Sequence, residues 1–326
     1  MKSIDMANLQ SGIRVFVRGD LDVAIENGVI KETFRLDHLL PTLNYLKEKN
    51  AKIIIAGHIG RPQEGKDRIS TQILLPYFNE KLGEGTFVLL ENLRFTKGEK
   101  DNDLEFAKNL SEKADIYVND CFGTCHREHA SIVGIPKFLP HYAGFDLLNE
   151  ITNLSKIFNP AHPFVTIIGG AKLETKKPVI KELLKIADYV LVGGKVGMDW
   201  NEDVPENLIL PIDYAREKKD IGAQTVEKFS KTILSAKTIL WAGPLGVYEE
   251  DEFNKGNMLV AKAVFESGAY SILGGGDIVA ALNKPACAGR LGLLSKFNFI
   301  STGGGAMLEY LVKHTLPGIE ALNNNG

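Results

Sequence analysis

The amino-acid sequence predicts an α/β protein with two doubly wound parallel-sheet domains joined by a hinge helix. Short apolar runs, such as residues 53–56 and 164–168, alternate with amphipathic stretches of helical length, such as residues 36–49. Apolar strands that alternate with helices are typical of parallel sheets covered on both faces. The length of 326 residues is sufficient for two such domains, each with its own core.

The predicted elements follow one another in the same way in both halves of the chain. A helical pattern over residues 147–158 runs into Asn159-Pro160, which breaks it before the next strand. We therefore predict a first domain over 1–146, a hinge helix and linker over 147–162, and a second domain over 163–311. The predicted strands are residues 14–18, 53–56, 87–90, 116–118, 164–168, 189–192, 238–241, 271–273 and 297–300, and further predicted helices are residues 104–113, 179–187 and 225–234.

The composition excludes several classes of protein. The net charge of −3 does not favour nucleic-acid binding, which usually leaves a clustered basic excess. No apolar run approaches the length of a membrane span, and the first ten residues lack an apolar core of signal-peptide type. Three cysteines, an odd number, favour a reducing compartment. We expect a cytoplasmic protein that acts on small molecules.

Basic and hydrogen-bonding residues follow four predicted strands of the first half. In open parallel sheets, ligands bind beyond the carboxyl ends of the strands. Seven of the nine arginines lie in the first 130 residues, which predicts that side chains at this edge bind an anion. The strand ends read Arg18-Gly19-Asp20-Leu21-Asp22, Gly57-His58-Ile59-Gly60-Arg61, Glu91-Asn92-Leu93-Arg94 and Asn119-Asp120-Cys121 followed by Arg127.

Glycine takes the corresponding places in the second half. It lets the backbone approach a ligand closely. Asp277 follows three of these glycines and is suited to magnesium carried by phosphates, because this ion often takes only one or two protein carboxylates. Neither of the two common nucleotide-binding signatures, Gly-x-x-x-x-Gly-Lys-Ser/Thr and Gly-x-Gly-x-x-Gly, is present. The strand ends read Gly169-Gly170-Ala171-Lys172, Gly193-Gly194-Lys195, Ala242-Gly243-Pro244 and Gly274-Gly275-Gly276-Asp277.

The stretch over residues 297–309 combines a strand, a glycine-rich turn and the start of a helix. Ser301-Thr302-Gly303-Gly304-Gly305 lies between an apolar run and a run of helix formers. Unpaired backbone N–H groups at the positive end of a helix dipole make an anion site. On its own, however, the triplet could equally be a tight turn.

With these pieces in order, the sequence resembles the phosphoglycerate kinase family. The resemblance runs from Val15 to Leu322 and depends on many modest motifs in the family's order. It implies two doubly wound, Rossmann-like domains joined by a hinge helix, with a C-terminal tail (312–326) that packs back on the first domain. The matching motifs are Val17–Asp20, 57–62, 89–95, 118–124, 169–172, 274–277, 301–306 and 316–318.

The resemblance also implies an activity and a set of roles. It predicts reversible phosphoryl transfer between 1,3-bisphosphoglycerate with Mg-ADP and 3-phosphoglycerate with Mg-ATP, in a monomeric glycolytic enzyme that closes around its substrates. Phosphoglycerate would be held by Asp20, Asp22, Arg35, His58, Arg61, Arg94 and Arg127. The nucleotide would be held by Gly170, Lys172, Lys176, Gly193, Gly194, Glu249, Gly274, Gly275, Gly276, Asp277 and Ser301, the magnesium ion by Asp277, and the transferring group by Arg35, Lys172, Lys176 and Gly304.

The sequence departs from the family's pattern at several positions, and these leave alternatives open. Asp22 stands where the family usually has Asn, and a carboxylate repels a bound anion unless it is turned onto an arginine. Ala242 replaces Asn, Ile278 replaces Thr and Lys195 replaces Gly, while the segment over residues 195–220 is shorter than the family's. The alternatives are a related acyl-phosphate kinase with a changed substrate and a nucleotide-binding homologue with weakened catalysis.

Other residues invite functional interpretations that the sequence does not favour. Residues 121–129 contain four possible zinc ligands, but their spacing is not that of a known zinc site. Cys125 and Cys287 are expected to be packed thiols. His38, His141 and His314 lie in or near helical patterns and are expected to be structural.

Overall fold

The structure, a computed structural model, describes residues 1–62, 68–284 and 292–323, so Cys287 lies outside the described residues. The chain forms two compact units. The first contains Met1–Ile151 together with the segment that begins at Thr315, and the second contains Thr152–His314. Each unit is built on one parallel sheet, which confirms the predicted α/β class. The functional division into domains at 146, 162 and 311 stays a prediction.

The sheet of the first unit has five strands in the order β5-β4-β1-β6-β7, all paired in parallel. The chain leaves β1 toward one edge and later returns to add strands on its other side. The strand order therefore reverses between β1 and β6, the place where doubly wound sheets bind ligands. The strands are β1 (Arg14–Gly19), a small hairpin of β2 (Ile25–Glu26) and β3 (Val29–Ile30), β4 (Lys52–Ala56), β5 (Phe87–Leu89), β6 (Ile116–Asp120) and β7 (His141–Ala143).

The sheet of the second unit has six strands in the order β10-β9-β8-β11-β12-β13, again all parallel. Its order reverses between β8 and β11. Both of these central strands are buried along their whole length, as expected for strands covered on two faces. The strands are β8 (Phe164–Ile168), β9 (Tyr189–Val192), β10 (Leu208–Ile209), β11 (Thr238–Ala242), β12 (Tyr270–Gly274) and β13 (Phe299–Ser301).

Helices pack on the sheets and supply the rest of the core. No described helix is long and apolar enough to cross a membrane. The helices of the first unit are α1 (Phe34–Glu48), α2 (Leu75–Leu82), α3 (Lys97–Lys100), α4 (Leu104–Ser111) and the greater part of α5 (Phe145–Ser155). Those of the second are α6 (Leu173–Leu183), α7 (Gly194–Met198), α8 (Ala223–Ile233), α9 (Lys255–Ser267), α10 (Gly276–Asn283) and α11 (Gly305–Lys313), and α12 (Pro317–Asn323) returns to the first unit.

Three local predictions are wrong, each for a physical reason. Helix α6 begins at Leu173 rather than at residue 179, because Pro178 lies inside the helix instead of ending it. Strand β13 begins at Phe299 rather than at residue 297, since Phe297 ends a short 3₁₀ turn. His141 lies in β7, a strand of three residues that is too short to show a period.

The other two histidines predicted to be structural make local contacts. His38 Nδ1 lies 2.8 Å from Asp146 Oδ1, a buried carboxylate in the first turn of α5. The ring of His314, at the end of α11, stacks on Phe158 with a centroid separation of 4.2 Å. Both contacts account for these side chains through packing and local electrostatics.

Candidate functional site

The basic cluster of the first unit lies where the sheet order reverses. In the register of the sheet, Arg18 of β1 pairs with Ala56 of β4 and with Asn119 of β6. The residues that follow these strands therefore reach the same edge, as the sequence predicts. This alignment brings Asp22 and His58 within 4 Å of each other although they belong to different strand ends.

Asp22 is surrounded by groups that favour its ionised form. Its Oδ1 accepts the backbone N–H of Gly60 at 2.7 Å, and its Oδ2 lies 3.6 Å from His58 Nε2 and 3.8 Å from Arg35 Nη1. Burial opposes ionisation, but His58, the Gly60 N–H and Arg35 outweigh it and hold the pKa of Asp22 well below its usual value. The Asp22 carboxylate thus lies near Arg35, whose positive charge reduces the repulsion between Asp22 and an anionic ligand.

Arg35 approaches this edge from the first turn of α1. Its Nη1 donates to the backbone oxygen of Asp22 at 2.6 Å, and its Nε lies 3.7 Å from Asp20 Oδ2. The charge of Asp20 is the main cause of the raised pKa of Arg35, so the guanidinium stays charged. About a quarter of the side chain (26%) remains exposed.

His58 is almost completely buried, with 3% of its surface exposed. Its Nδ1 lies 3.0 Å from Arg18 Nη2. Burial, together with the nearby charges of Arg18 and Arg94, lowers the pKa of His58 to about 4, although Asp22 acts in the opposite direction. At neutral pH this histidine is therefore an uncharged hydrogen-bonding group.

Three further arginines predicted to bind substrate differ in their surroundings. Arg94 Nη1 donates to the Gly60 oxygen at 2.7 Å, whereas its Nε is buried and has no hydrogen-bond partner among the described residues. Burial and the charge of Arg18 lower the pKa of Arg94. Arg61 and Arg127 are exposed. The edge thus offers guanidinium donors that the protein itself does not fully use.

Several residues of this cluster were not among the predicted site residues. Arg18, at the end of β1, contacts His58 directly, and Ser131 and Glu99 lie behind it. His129 lies 3.7 Å from Glu99, and burial together with neighbouring arginines lowers the pKa of His129 to about 3. Arg18 belongs to a strand-end motif of the sequence. Because it is the last residue of a predicted buried strand, its burial could have been predicted from the sequence.

The strand ends of the second unit are also aligned. Ala242 of β11 pairs with Ile168 of β8 on one side and with Gly274 of β12 on the other. Gly274 in turn pairs with Ser301, and Ile168 pairs with Val192 of β9. Five strands therefore end at one level, and the glycine turns that follow them lie along one edge of the sheet.

Two of these turns leave open space where a side chain would be. Gly275 (φ +107°) and Gly304 (φ +49°) have backbone conformations that favour glycine, and nothing lies within 4 Å of an ideal Cβ at either position. Each glycine immediately precedes the first residue of a helix, α10 or α11. Because glycine has no side chain, it cannot cap the helix with a side-chain hydrogen bond. At the start of α11 the Gly303 N–H donates to Ser301 Oγ and the Ala306 N–H donates to the Gly303 oxygen. The N–H groups of Gly276, Gly304 and Gly305, by contrast, have no acceptor among the described residues and are available to an anion.

A pocket of about 530 Å³ lies in the second unit, and Asp277, in the first turn of α10, is one of its lining residues. Its wall includes Pro244, Leu245 and Tyr248, and the carboxylate residues Glu249 and Asp277 also line it. Lys195, another lining residue, pairs with Asp199 at 2.6 Å. That pairing offsets much of the positive charge that Lys195 would otherwise bring to the pocket.

The two lysines predicted to act on phosphate lie at the start of α6. Lys172 is exposed and immediately precedes the helix, and Lys176 lies one turn later and is partly buried. Burial lowers the pKa of Lys176, and the nearby charge of Asp277 opposes the change. Lys176 is therefore influenced by the charge of Asp277, although the two side chains form no ion pair among the described residues.

The two apolar replacements, Ala242 and Ile278, lie in the interior. Ala242 is 1% exposed, and Ile278 is fully buried among Leu245, Leu273 and Leu293. Neither belongs to the lining of the pocket. These two residues are thus part of the buried interior next to the glycine turns and not of the wall of the pocket.

The two edges define the class of protein. One edge presents arginines and a histidine, the other presents glycine turns beside lysines and an aspartate, and such groups are those of an α/β phosphotransferase. The sequence model of the family described as phosphoglycerate kinase matches residues 4–84, 77–203 and 202–314. The chain belongs to the phosphoglycerate kinase family, whose members are phosphotransferases of glycolysis.

Individual relatives agree with this assignment. The phosphoglycerate kinase of Leptospira biflexa serovar Patoc is 38% identical over 384 residues, covering 95% of this chain and 96% of the relative. The structure of phosphoglycerate kinase from Coxiella burnetii is similar with a TM-score of 0.82 at 32% identity, covering 98% of each chain. That from Pyrococcus horikoshii OT3 gives 0.85 at 28% identity, covering 99% of this chain and 98% of the other.

The same comparisons bear on the shortened segment. The alignment with the Leptospira relative spans 384 residues, whereas 95% of this 326-residue chain is about 310 residues, so about 70 aligned positions are gaps in this chain. Two of the family matches meet at residues 202 and 203. That junction lies inside the segment over residues 195–220, which the sequence predicts to be shorter than in the family.

Proposed function

We propose that this chain catalyses reversible phosphoryl transfer between 1,3-bisphosphoglycerate with Mg-ADP and 3-phosphoglycerate with Mg-ATP. The observation that carries the proposal is the edge of the first unit, where Arg35, Arg94 and neutral His58 converge beside two exposed arginines. In a member of this family, an edge of this kind suits a small ligand with both a carboxylate and a phosphate. A monomeric state and a cytoplasmic location are part of the proposal.

In the first unit, phosphoglycerate would bind at the end of the sheet. Arg61, Arg94 and Arg127 would neutralise the ligand's negative groups, with the unused Nε of Arg94 as one donor. His58 would donate a hydrogen bond without adding charge, because its pKa lies near 4. Asp20 and Asp22 would orient Arg35 toward the group that is transferred.

In the second unit, the pocket would hold the nucleoside and the glycine turns would hold the phosphates. Glu249 lines the pocket and is suited to the ribose hydroxyls, while Gly193 and Gly194 lie at the end of β9 beside it. Backbone N–H groups of the turns at Gly274–Gly276 and Ser301–Gly305 would donate to phosphate oxygens. Gly170 at the end of β8 would form the remaining side of the cradle.

The residues around Asp277 fit a magnesium ion that arrives with the nucleotide. The Asp277 carboxylate lies in the first turn of α10, lines the pocket and interacts with Lys176. Among the described parts of the chain, no group of three or more His, Cys, Asp or Glu residues could hold a metal by itself. A single carboxylate beside phosphates is a usual magnesium site, and the ion would there neutralise phosphate charge.

The chain's own groups would then act by positioning and by charge. Phosphoryl transfer requires little covalent help from the protein. Arg35, Lys172 and Lys176 would stabilise the charge on the transferring group, and the backbone near Gly304 would supply N–H donors to the same group. We further propose that residues 147–162 act as a hinge between the domain that binds phosphoglycerate and the domain that binds nucleotide.

A coupled assay with 3-phosphoglycerate and Mg-ATP tests this function. We expect saturable turnover that requires both substrates and magnesium. Nucleotide binding without turnover would instead support the homologue with weakened catalysis. Turnover with another carboxylic acid, but not with 3-phosphoglycerate, would support a changed acyl-phosphate substrate.

The substitution Asp22→Asn should tighten the binding of 3-phosphoglycerate. It removes one negative charge from the edge, while the amide oxygen can still accept the Gly60 N–H. We expect KM for 3-phosphoglycerate to fall by about tenfold, equivalent to about 1.4 kcal/mol, and the change to shrink at high salt. Asp101→Asn, at an exposed carboxylate in the same unit, is the control. Unchanged affinity would mean that Arg35 and His58 already offset the charge of Asp22.

The substitution Gly276→Ala should weaken nucleotide binding without reducing stability. Nothing lies within 4 Å of an ideal Cβ at this position, and its φ is one that alanine adopts readily. The new methyl group would therefore occupy only space that a ligand uses. We expect ADP affinity, measured by calorimetry, to fall by about tenfold while the Tm of the ligand-free protein stays the same or rises slightly. Equal ADP affinities in the two proteins would show that phosphate does not approach this glycine.

A further inference from the structure

Arg18 is a fully buried arginine that contacts His58 at the binding edge. It is 0% exposed, and its Nη2 lies 3.0 Å from His58 Nδ1. Its Nη1 donates to the backbone oxygen of Gly19, the next residue. A buried guanidinium needs hydrogen-bond partners, and its third nitrogen, Nε, donates to Ser131 Oγ at 2.9 Å.

Ser131 connects this arginine to a buried carboxylate. The Ser131 hydroxyl donates to Glu99 Oε1 at 2.6 Å, and the Ser131 backbone N–H donates to Glu99 Oε2 at 3.0 Å. Glu99 is 0% exposed and provides negative charge behind the arginine. The guanidinium plane of Arg18 is thus fixed by its contacts with Ser131 Oγ and the Gly19 oxygen, in addition to the contact with His58.

This arrangement determines which nitrogen of His58 carries the proton. A guanidinium group can only donate hydrogen bonds, so His58 Nδ1 must accept the one from Arg18. Neutral His58 then carries its proton on Nε2, which lies 3.6 Å from the Asp22 carboxylate. In the opposite tautomer, the Nδ1–H of His58 would point at an N–H of Arg18, so two donors would face each other. The unprotonated Nε2 would then face the Asp22 carboxylate, so two acceptors would face each other.

We propose that Arg18, held by Ser131 and Glu99, is a positioning residue that keeps His58 as a neutral imidazole with its proton on Nε2. His58 then offers an anionic ligand one directed hydrogen bond, while the charge is supplied by the exposed arginines. The proposal rests on the proposed function in one respect, that His58 contacts phosphoglycerate. The tautomer itself is a property of the ligand-free protein and can be measured without turnover.

The charged and titratable groups that face His58 favour this state. Arg18 on β1 and Arg94 after β5 lower the pKa of His58, His129 faces it from the segment after β6, and Asp22 opposes them from the loop after β1. Loss of the Arg18 contact would remove both a donor at Nδ1 and one positive charge. His58 would then titrate closer to the ordinary pKa of histidine, about 6.5.

Long-range ¹H–¹⁵N NMR of the imidazole groups in the full-length, ligand-free protein tests the proposal directly. We expect the His58 signals to show the Nε2–H tautomer and no titration between about pH 5.5 and pH 8. A His58 ring protonated at Nδ1, or one that titrates above about pH 6, would overturn the proposal. Neither result depends on whether the protein is a kinase.

Two variants separate positioning from general stability. Ser131→Ala removes the acceptor for Arg18 Nε, so we expect a mixture of His58 tautomers and a KM for 3-phosphoglycerate about fivefold higher, with kcat unchanged. Arg18→Lys keeps a cationic donor and should preserve the Nε2–H tautomer better than Arg18→Met. Ser111→Ala, at a buried serine whose hydroxyl bonds the Lys108 oxygen in α4, is the matched control and should change neither tautomer nor KM.

The possible results distinguish failure of this inference from failure of the proposed function. Turnover with His58 protonated at Nδ1 would leave the function standing and overturn the positioning role. Absence of turnover with His58 protonated at Nε2 would leave Arg18 as the group that sets the tautomer and overturn the proposed function. Ser131→Ala with an unchanged tautomer and unchanged KM would show that Ser131 and Glu99 do not hold Arg18.

Discussion

Replacing Arg35 with alanine should lower kcat by about 100- to 1,000-fold while changing the thermal unfolding temperature little. The guanidinium donates to the Asp22 backbone oxygen and lies near the Asp20 and Asp22 carboxylates at a partly exposed edge (26% of the side chain), so its loss removes polar contacts and no part of the hydrophobic core. Loss of one donor that stabilises transition-state charge costs about 2.7–4 kcal/mol, which corresponds to that loss of rate. Steady-state kinetics and calorimetry on the same samples provide the measurement.

Arg14→Ala is the matched control for this variant. Arg14 lies at the other end of β1, is 45% exposed and forms an ion pair with Asp115 at 2.6 Å. It should leave kcat unchanged, because it lies at the amino end of the strand. Near-normal turnover in Arg35→Ala, or an equal loss in both variants, would contradict the role proposed for Arg35.

Replacing Lys172 with alanine should have an effect of similar size, about 100-fold or more on kcat. Lys172 is exposed before the start of α6, and its ammonium group makes no ion pair among the described residues. A cation without a protein partner contributes little to folding, so the Tm should stay close to that of the unaltered protein. The expected signature is a loss in kcat with ADP affinity reduced much less.

Lys185→Ala provides the corresponding control. Lys185 is also exposed in the second unit, but its ammonium pairs with Glu182 at 2.7 Å and it lies beyond the last residue of α6. We expect no change in kcat. If Lys172→Ala instead weakened ADP binding and left kcat intact, Lys172 would be a ground-state contact of the nucleotide rather than a catalytic group.

The sheet architecture was predictable because central parallel strands are apolar on both faces. The limits of β8 (Phe164–Ile168) and β9 (Tyr189–Val192) match the predicted limits at both ends. Elements that depend on tertiary pairing were not predictable. The strands His141–Ala143 and Leu208–Ile209 are too short to show a pattern of alternating apolar residues. They form because each pairs with a neighbouring strand of its sheet, β6 or β9.

The candidate site was predictable where residues directly follow a strand. His58 and Asp22 come together because the register of β1 and β4 aligns their strand ends. The environment of each group was not predictable, since it depends on residues far away in the sequence. Ser131 and Glu99, which lie behind Arg18, are 32 residues apart and follow no strand-end pattern.

The return of the chain to its first unit has a consequence for synthesis on the ribosome. The second unit is one continuous segment, Thr152–His314, whereas the first unit also needs the residues that follow Thr315. Gly318 N–H donates to the Cys125 oxygen at 2.9 Å, and a Cβ at Gly318 would lie within 3 Å of Ile132 and Cys125 side chains, so the returning helix is closely fitted there. Domains generally complete folding in the order of their synthesis. In this chain the second unit has all its residues available before the first unit does, so the first unit can complete its packing only after α12 has been synthesised.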